Sequence, residues 1–177
     1  MAPVKVLFIT KIGSSSYCGH RDFRPISLTP FLLKTMERLV DRFFRNEILV
    51  LQPLHPNQHA HQTGKSVETA LNQLMVRVEK ALDQQEIAIR VFLDIEGVFE
   101  NNSYDYMCSA FIRHGVDQTI VRRIRATLEG RLATAGLGDV TRCVTVSRAC
   151  PQGGVLSPLL WFLPENEILI TLNEASV

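Results

Sequence analysis

The chain has no Cys-x-x-Cys pair, no long apolar run and no large excess of either charge, and each absence narrows what it can be. Its four cysteines, Cys18, Cys108, Cys143 and Cys150, are scattered. That spacing fits free thiols in a reducing compartment better than a disulfide framework or a structural zinc site. His55, His59 and His61 lie in a stretch broken by Pro53 and Pro56, so no helix aligns them as ligands. No run reaches the roughly 18 apolar residues of a membrane helix. The apolar segment Val4–Thr10 is interrupted by Lys5 and is too short for a signal-peptide core. The expected setting is intracellular, with no membrane partner.

A net charge of +1 is low for a dedicated nucleic-acid binder. The distribution is less neutral than the sum. Arg122, Arg123, Arg125 and Arg131 crowd one region, and Lys11, Arg21 and Arg24 another. A one-sided basic groove and ordinary solvated helix faces explain these clusters equally well. Repeats and low-complexity linkers are missing too.

What is present suits one folded domain: 177 residues, 46% of them hydrophobic and 21% charged. Val4–Thr10 reads as a strand, followed by a Gly-Ser-Ser-Ser loop at residues 13–16. Thr29 and Pro30 mark a helix start, a hydroxyl cap and then a proline whose missing N–H costs nothing there. Leu32, Met36, Leu39, Val40 and Phe43 follow at helical spacing, with Glu37, Arg38, Asp41 and Arg42 on the opposite face. Ser66 is expected to cap a second helix carrying Ala70, Leu71, Leu74, Met75, Val78 and Leu82.

Residues 87–95 are apolar and rich in branched side chains, interrupted only by Arg90 before Asp94, and read as a central strand. Asn102 or Ser103 opens a helix that Gly115 closes. Asp117 opens another, with Ile120, Val121, Ile124 and Leu128 inward and Gly130 past its end. Residues 131–148 suggest a hairpin with Gly138-Asp139 as its turn, and Ser157 starts a last helix that Pro164 should cut short or kink. The pattern implies an α+β domain, helices packed on a small mixed sheet.

Three features bear on chemistry. Asp94 closes the apolar run, Phe99 stands five residues later, and about fifty residues on comes Ala149-Cys150-Pro151-Gln152-Gly153-Gly154-Val155-Leu156-Ser157-Pro158. This layout resembles the palm of the reverse transcriptase domain of non-LTR retrotransposons. The run from Cys150 to Leu159 is its most specific part, because an ordinary turn before a helix predicts glycine and proline but not the whole string. Arg24-Pro25-Ile26-Ser27-Leu28 resembles a fingers motif of that family, as does Lys11 after its short strand.

The resemblance implies a partial polymerase domain, with residues 1–85 as a fingers-like region, residues 86–177 as part of the palm, and no thumb. It implies that Asp94 is catalytic and binds magnesium, one of several carboxylates that hold two ions for nucleotidyl transfer. Phe99 would exclude the wrong sugar, Gln152 and Gly153 would contact nucleotide and template, and Lys11 and Arg24 would hold the triphosphate. RNA template, DNA primer and deoxynucleotides are the implied partners. A competing motif fails. Gly64-Lys65-Ser66 invites an ATP-binding loop, but His59 stands where that loop needs glycine.

The family's third palm motif, an aromatic-Ala-Asp-Asp hairpin, has no counterpart: after Pro158 the acidic residues are Glu165, Glu167 and Glu174, with no tandem pair. The chain thus reads as a truncated copy, expected to be inactive by itself. A non-catalytic nucleic-acid-binding or interaction remnant is the alternative. Ala149 replaces a glycine usual in the family, a strained choice if the loop requires a positive φ there.

Overall fold

The computed structural model describes residues 4–13, 17–137 and 140–174. Ser14–Ser16 of the expected loop and the Gly138-Asp139 turn lie outside those residues. Strand β1 (Val4–Thr10) leads through a 3-10 turn (His20–Asp22) to β2 (Phe23–Leu28). Helix α1 (Phe31–Phe43) passes through a π-helical turn (Phe44–Ile48) into a last short turn, α2 (Leu49–Leu51). Then come α3 (Val67–Asp83), the short α4 (Val98–Asn101), α5 (Tyr104–Arg113) and α6 (Gln118–Leu128). Strands β3 (Arg131–Leu137) and β4 (Val140–Val146) precede the long α7 (Ser157–Glu174).

The four strands form one mixed sheet in the order β2-β1-β3-β4. Two antiparallel pairs, β1 with β2 and β3 with β4, meet along a short parallel seam in which Val4, Lys5 and Val6 oppose Ala133, Thr134 and Ala135. The sheet therefore draws on both the first and second halves of the sequence. The hairpin expected over 131–148 is present as β3 and β4.

The core lies among the helices. Phe44, Met107, Ala110, Phe111, Leu159, Leu160, Phe162 and Leu163 are essentially fully buried, each large apolar side chain contributing roughly 1.5–3 kcal/mol. Phe44 and Phe111 meet edge to face at 5.5 Å. Helix α7 is buried on most sides over its first half, including Asn166, whose Oδ1 accepts the His55 backbone N–H at 2.6 Å. Pro164 does not end this helix, which runs on to Glu174. Pro164 is itself buried, so packing holds the turn although the proline supplies no N–H to the preceding turn.

Local signals at the helix starts agree with the structure in three places. Ser66 caps α3 in a reciprocal box with Thr69, Ser103 caps α5 by accepting from Tyr106 N, and Asp117 caps α6 by accepting from Thr119 N. Thr29 does not cap α1. Pro30 occupies the cap position, and the Thr29 hydroxyl is buried with no hydrogen-bond partner among the described residues.

Two larger expectations are overturned. Residues 87–95 form no strand: Ile87, Ile89, Val91, Phe92 and Leu93 are 77–91% exposed, and the segment makes no backbone–backbone hydrogen bond among the described residues. A strand is stabilised by its ladder and by a covered face, and the sheet offers this segment neither. The α1 face assignment is also reversed in part. Glu37 is buried, whereas Leu32, Met36 and Leu39 are 58–72% exposed. Helix α3, for all its periodic apolar residues, buries none of them.

Candidate functional site

The Pro-Gln-Gly loop is fixed from four directions. Cys150 N donates to the Phe99 carbonyl at 2.7 Å, and Ala149 N to the Asn102 carbonyl at 3.0 Å, tying the loop to α4. Ser27 N of β2 donates to the Gln152 carbonyl at 2.7 Å. Ser157 Oγ donates to the Pro151 carbonyl at 2.6 Å, and Gly154 N reaches the same oxygen at 2.9 Å. The buried Glu37 carboxylate accepts from Val155 N at 2.7 Å and from Leu156 N at 3.4 Å, holding the entry to α7. A carboxylate at a helix N-terminus also meets the positive end of the helix dipole.

Backbone conformation at the loop is demanding. Gly153 sits at φ 98°, and a Cβ there would lie 3.2 Å from both Ile26 Cγ2 and the Ser27 carbonyl, so only glycine lets the loop lie against β2. Ala149 sits at φ 85°, where an alanine is strained. Arg131 offsets this strain. Its Nη2 donates to the Ala149 carbonyl at 2.7 Å and to the Tyr104 hydroxyl at 3.2 Å, while its Nε donates to the Leu128 carbonyl at 2.9 Å. Its guanidinium also lies 5.9 Å from the Tyr104 ring centre.

The loop forms one wall of a cleft of about 320 Å³ whose floor is the sheet, with Phe8, Ser27, Phe99, Arg131, Arg142 and Gln152 among its lining. Phe99 is half-buried, with its ring 6.5 Å from Trp161. A second, more polar depression of about 390 Å³ holds Lys11, Arg21, Glu96 and Asn101. Glu100 lines both and marks where they adjoin. Arg21 and Glu96 pair loosely at 3.6 Å, both well exposed, a contact worth little in water.

Of the residues singled out by sequence, Phe99 and Gln152 thus share one cleft, Gly153 seats the loop that walls it, and Lys11 lines the adjoining depression. Arg24 is exposed on β2 opposite Ile9 and lines neither. Asp94 is exposed, lies outside both, and ends no strand. Among the described residues no three His, Cys, Asp or Glu side chains are grouped to hold a metal ion. The residues around Asp94 therefore do not make a magnesium site by themselves.

Burial pushes the Cys150 thiol up to about 12, with Arg131 opposing that shift, and burial likewise raises Cys108. Neither thiol is a nucleophile in this setting. Two of the four arginines near α6 are committed to the protein: Arg131 is buried, and Arg125 pairs with Asp105 at 2.7 Å and Glu129 at 2.6 Å. Glu37 and Arg131 organise the loop, and sequence reading missed both. Glu37 falls on a helix face that looks solvated, and Arg131 looks like one more cation in a run.

With this arrangement in view, comparison with known proteins is specific. The model of the reverse transcriptase (RNA-dependent DNA polymerase) family matches residues 10–176, and the chain belongs to that family. Similar proteins place it with the non-LTR retrotransposon type. One is the Retrovirus-related Pol polyprotein from type-1 retrotransposable element R2 of Popillia japonica, 28% identical over 86% of this chain and 21% of the relative. Another is that of element R1 from Bradysia coprophila, 26% identical over 86% of this chain and 15% of the relative. A third, from Drosophila melanogaster, is named "Probable RNA-directed DNA polymerase from transposon BS", 27% identical over 88% of this chain and 17% of the relative. The chain spans about a fifth or less of these relatives' lengths. No helix among the described residues is long and apolar enough to cross a membrane.

Proposed function

We propose that this chain is the nucleotide- and template-contacting part of a non-LTR reverse transcriptase domain, with residues 1–85 fingers-like and residues 86–177 a portion of the palm. The observation that carries this reading is the joining of two distant motifs. The Gln152 carbonyl takes the Ser27 N–H at 2.7 Å, so the Pro-Gln-Gly loop and the Arg24–Leu28 segment wall one cleft with Phe99 between them. A stiff aromatic in such a cleft limits which sugar fits, and the Gln152 side-chain amide offers both a donor and an acceptor to a base or sugar. Lys11, just past β1, lines the adjoining depression, and Arg24 stands on β2 outside both hollows; by the family resemblance both supply cations for a triphosphate, the guanidinium as a fork and the ammonium as a point charge. RNA template, DNA primer and deoxynucleotides are the corresponding ligands.

Asp94 supplies one carboxylate toward divalent metal in this reading. Since the described residues group no third ligand with it, the 177-residue polypeptide is expected to bind nucleotide or primer–template without extending the primer. Binding of a labelled RNA–DNA duplex at two salt concentrations tests the first half. Affinity should fall as salt rises, and Gln152→Ala should weaken it about tenfold, as loss of a hydrogen-bonded contact does. Primer extension tests the second half. Magnesium-dependent synthesis that Asp94→Ala abolishes would overturn it.

A further inference from the structure

One row of residues crosses the whole sheet on the side of the cleft. Ser27 of β2 is in register with Val6 of β1, Val6 with Ala135 of β3, and Ala135 with Arg142 of β4. All four line the cleft, and Gln152, whose carbonyl takes the Ser27 N–H, extends the row past β2. The middle of the row carries short side chains, while its two ends, Gln152 and Arg142, are long and polar. Three interstrand steps set the Cα atoms of Ser27 and Arg142 about 14 Å apart. Successive side chains of a strand alternate between faces, so Lys5, next to Val6, and Arg24, next to Pro25, belong to the opposite face. The described lining of the cleft includes three charged residues, Glu100, Arg131 and Arg142. Glu100 has the sign of a phosphate. Arg131 is buried, with Nε and Nη2 engaged by the Leu128 and Ala149 carbonyls and the Tyr104 hydroxyl. Arg142 is exposed.

We infer that Arg142 is the phosphate-binding residue of this cleft, holding a phosphate of the ligand whose base or sugar meets Gln152 at the other end of the row. The class of ligand rests on the nucleotide- and template-contacting reading above; the choice of residue rests on the register. A guanidinium presents a planar fork that takes two phosphate oxygens at once. Its cross-strand neighbour Ala135 carries a single methyl, so the floor beside the guanidinium is low and a sugar–phosphate chain can lie against the sheet there. Arg24, on the other face, does not meet a ligand seated on this floor. Two sources offer the same phosphate chemistry, the backbone of a template or primer strand and the tail of a nucleoside triphosphate.

Two probes on the full chain separate these sources: a labelled RNA–DNA duplex with a single-stranded template overhang, and a labelled deoxynucleoside triphosphate. Arg142→Gln should weaken at least one of them about tenfold, as loss of a charge-assisted hydrogen bond does, and the probe weakened names the source. For the duplex, the plot of log affinity against log salt should also flatten by roughly 0.7–0.9, the counterion release of one phosphate. Arg142→Lys should keep that slope and lose part of the affinity, because it keeps the charge without the fork. Lys5→Gln removes a charge from the other face of the same sheet and should leave affinity and slope as they are. A merely structural role for Arg142 would lower the urea midpoint without flattening the salt plot. Unchanged affinity of Arg142→Gln for both probes, while Gln152→Ala still weakens the duplex, would overturn the assignment and leave the cleft reading standing. So would an Arg142→Lys chain whose slope falls as far as that of Arg142→Gln. Failure of the unmodified chain to bind either probe at low salt would overturn both.

Discussion

Arg131 donates through Nη2 to the Ala149 carbonyl at 2.7 Å, and so pins a non-glycine residue at φ 85° immediately before the Pro-Gln-Gly loop. The buried guanidinium spends Nε and Nη2 on the Leu128 and Ala149 carbonyls and on the Tyr104 hydroxyl. Through those bonds it sets the shape of the cleft wall. Two consequences of this pair are measurable.

Replacing Ala149 by Gly should relieve the left-handed strain and stabilise the chain by about 1 kcal/mol. In thermal unfolding this is a rise of roughly 2–4 °C for a chain of this size. The same residue in the Arg131→Met background should give a different increment, since two residues joined by a hydrogen bond do not add independently.

Gly153→Ala should cost roughly 1–3 kcal/mol in urea unfolding, because the backbone is strained and the new Cβ meets β2 at 3.2 Å. Gly13→Ala is the matched control. Its φ is 95°, but nothing lies within 4 Å of the new atom. The difference between the two isolates the steric part. Only Gly153→Ala should also weaken duplex binding.

Glu37→Leu should destabilise by about 2 kcal/mol, leaving the N–H groups of Val155 and Leu156 without an acceptor in a buried place. Glu37→Gln keeps an acceptor oxygen and should cost less. Denaturant midpoints with an unchanged slope would separate this local loss from a change in the unfolded chain.

Thiol chemistry offers a fourth check. Cys18 and Cys143 are exposed and should react quickly with an aromatic disulfide, whereas Cys108 and Cys150 should react only on unfolding. The Cys150 thiol holds its proton to about pH 12 in the folded chain but loses it near 8.5–9 when unfolded. Above the unfolded value the unfolded chain binds fewer protons, so stability falls as pH rises from about 9 toward 12. Cys150→Ala should flatten that fall in an alkaline titration of unfolding.

Much of this was readable from sequence because it is local. Ser66, Ser103 and Asp117 cap helices, and Gly115 and Gly130 follow them, for reasons that involve only adjacent backbone. The inward set of α6 and the β3–β4 hairpin follow from periodicity. The strain expected at Ala149 is present because a turn into the loop demands it. What failed needed knowledge of neighbours. Residues 87–95 have every intrinsic mark of a strand, yet strand formation is a two-body event, and among the described residues no second body is there. Glu37 looked solvated because helical spacing says which residues share a face, not which face meets the protein. Pro164 looked like a terminator because propensity cannot weigh a helix buried on most sides.

Among the described residues, the sheet joins its two ribbons by three opposed residue pairs, Val4–Val6 against Ala133–Ala135. Those partners are far apart in sequence, so the seam is costly to close and is expected to zip late in folding. The β1–β2 ribbon therefore supplies its share of the cleft floor only once that seam has closed, and the Gln152 carbonyl on Ser27 gives the ribbon a second tie to the loop.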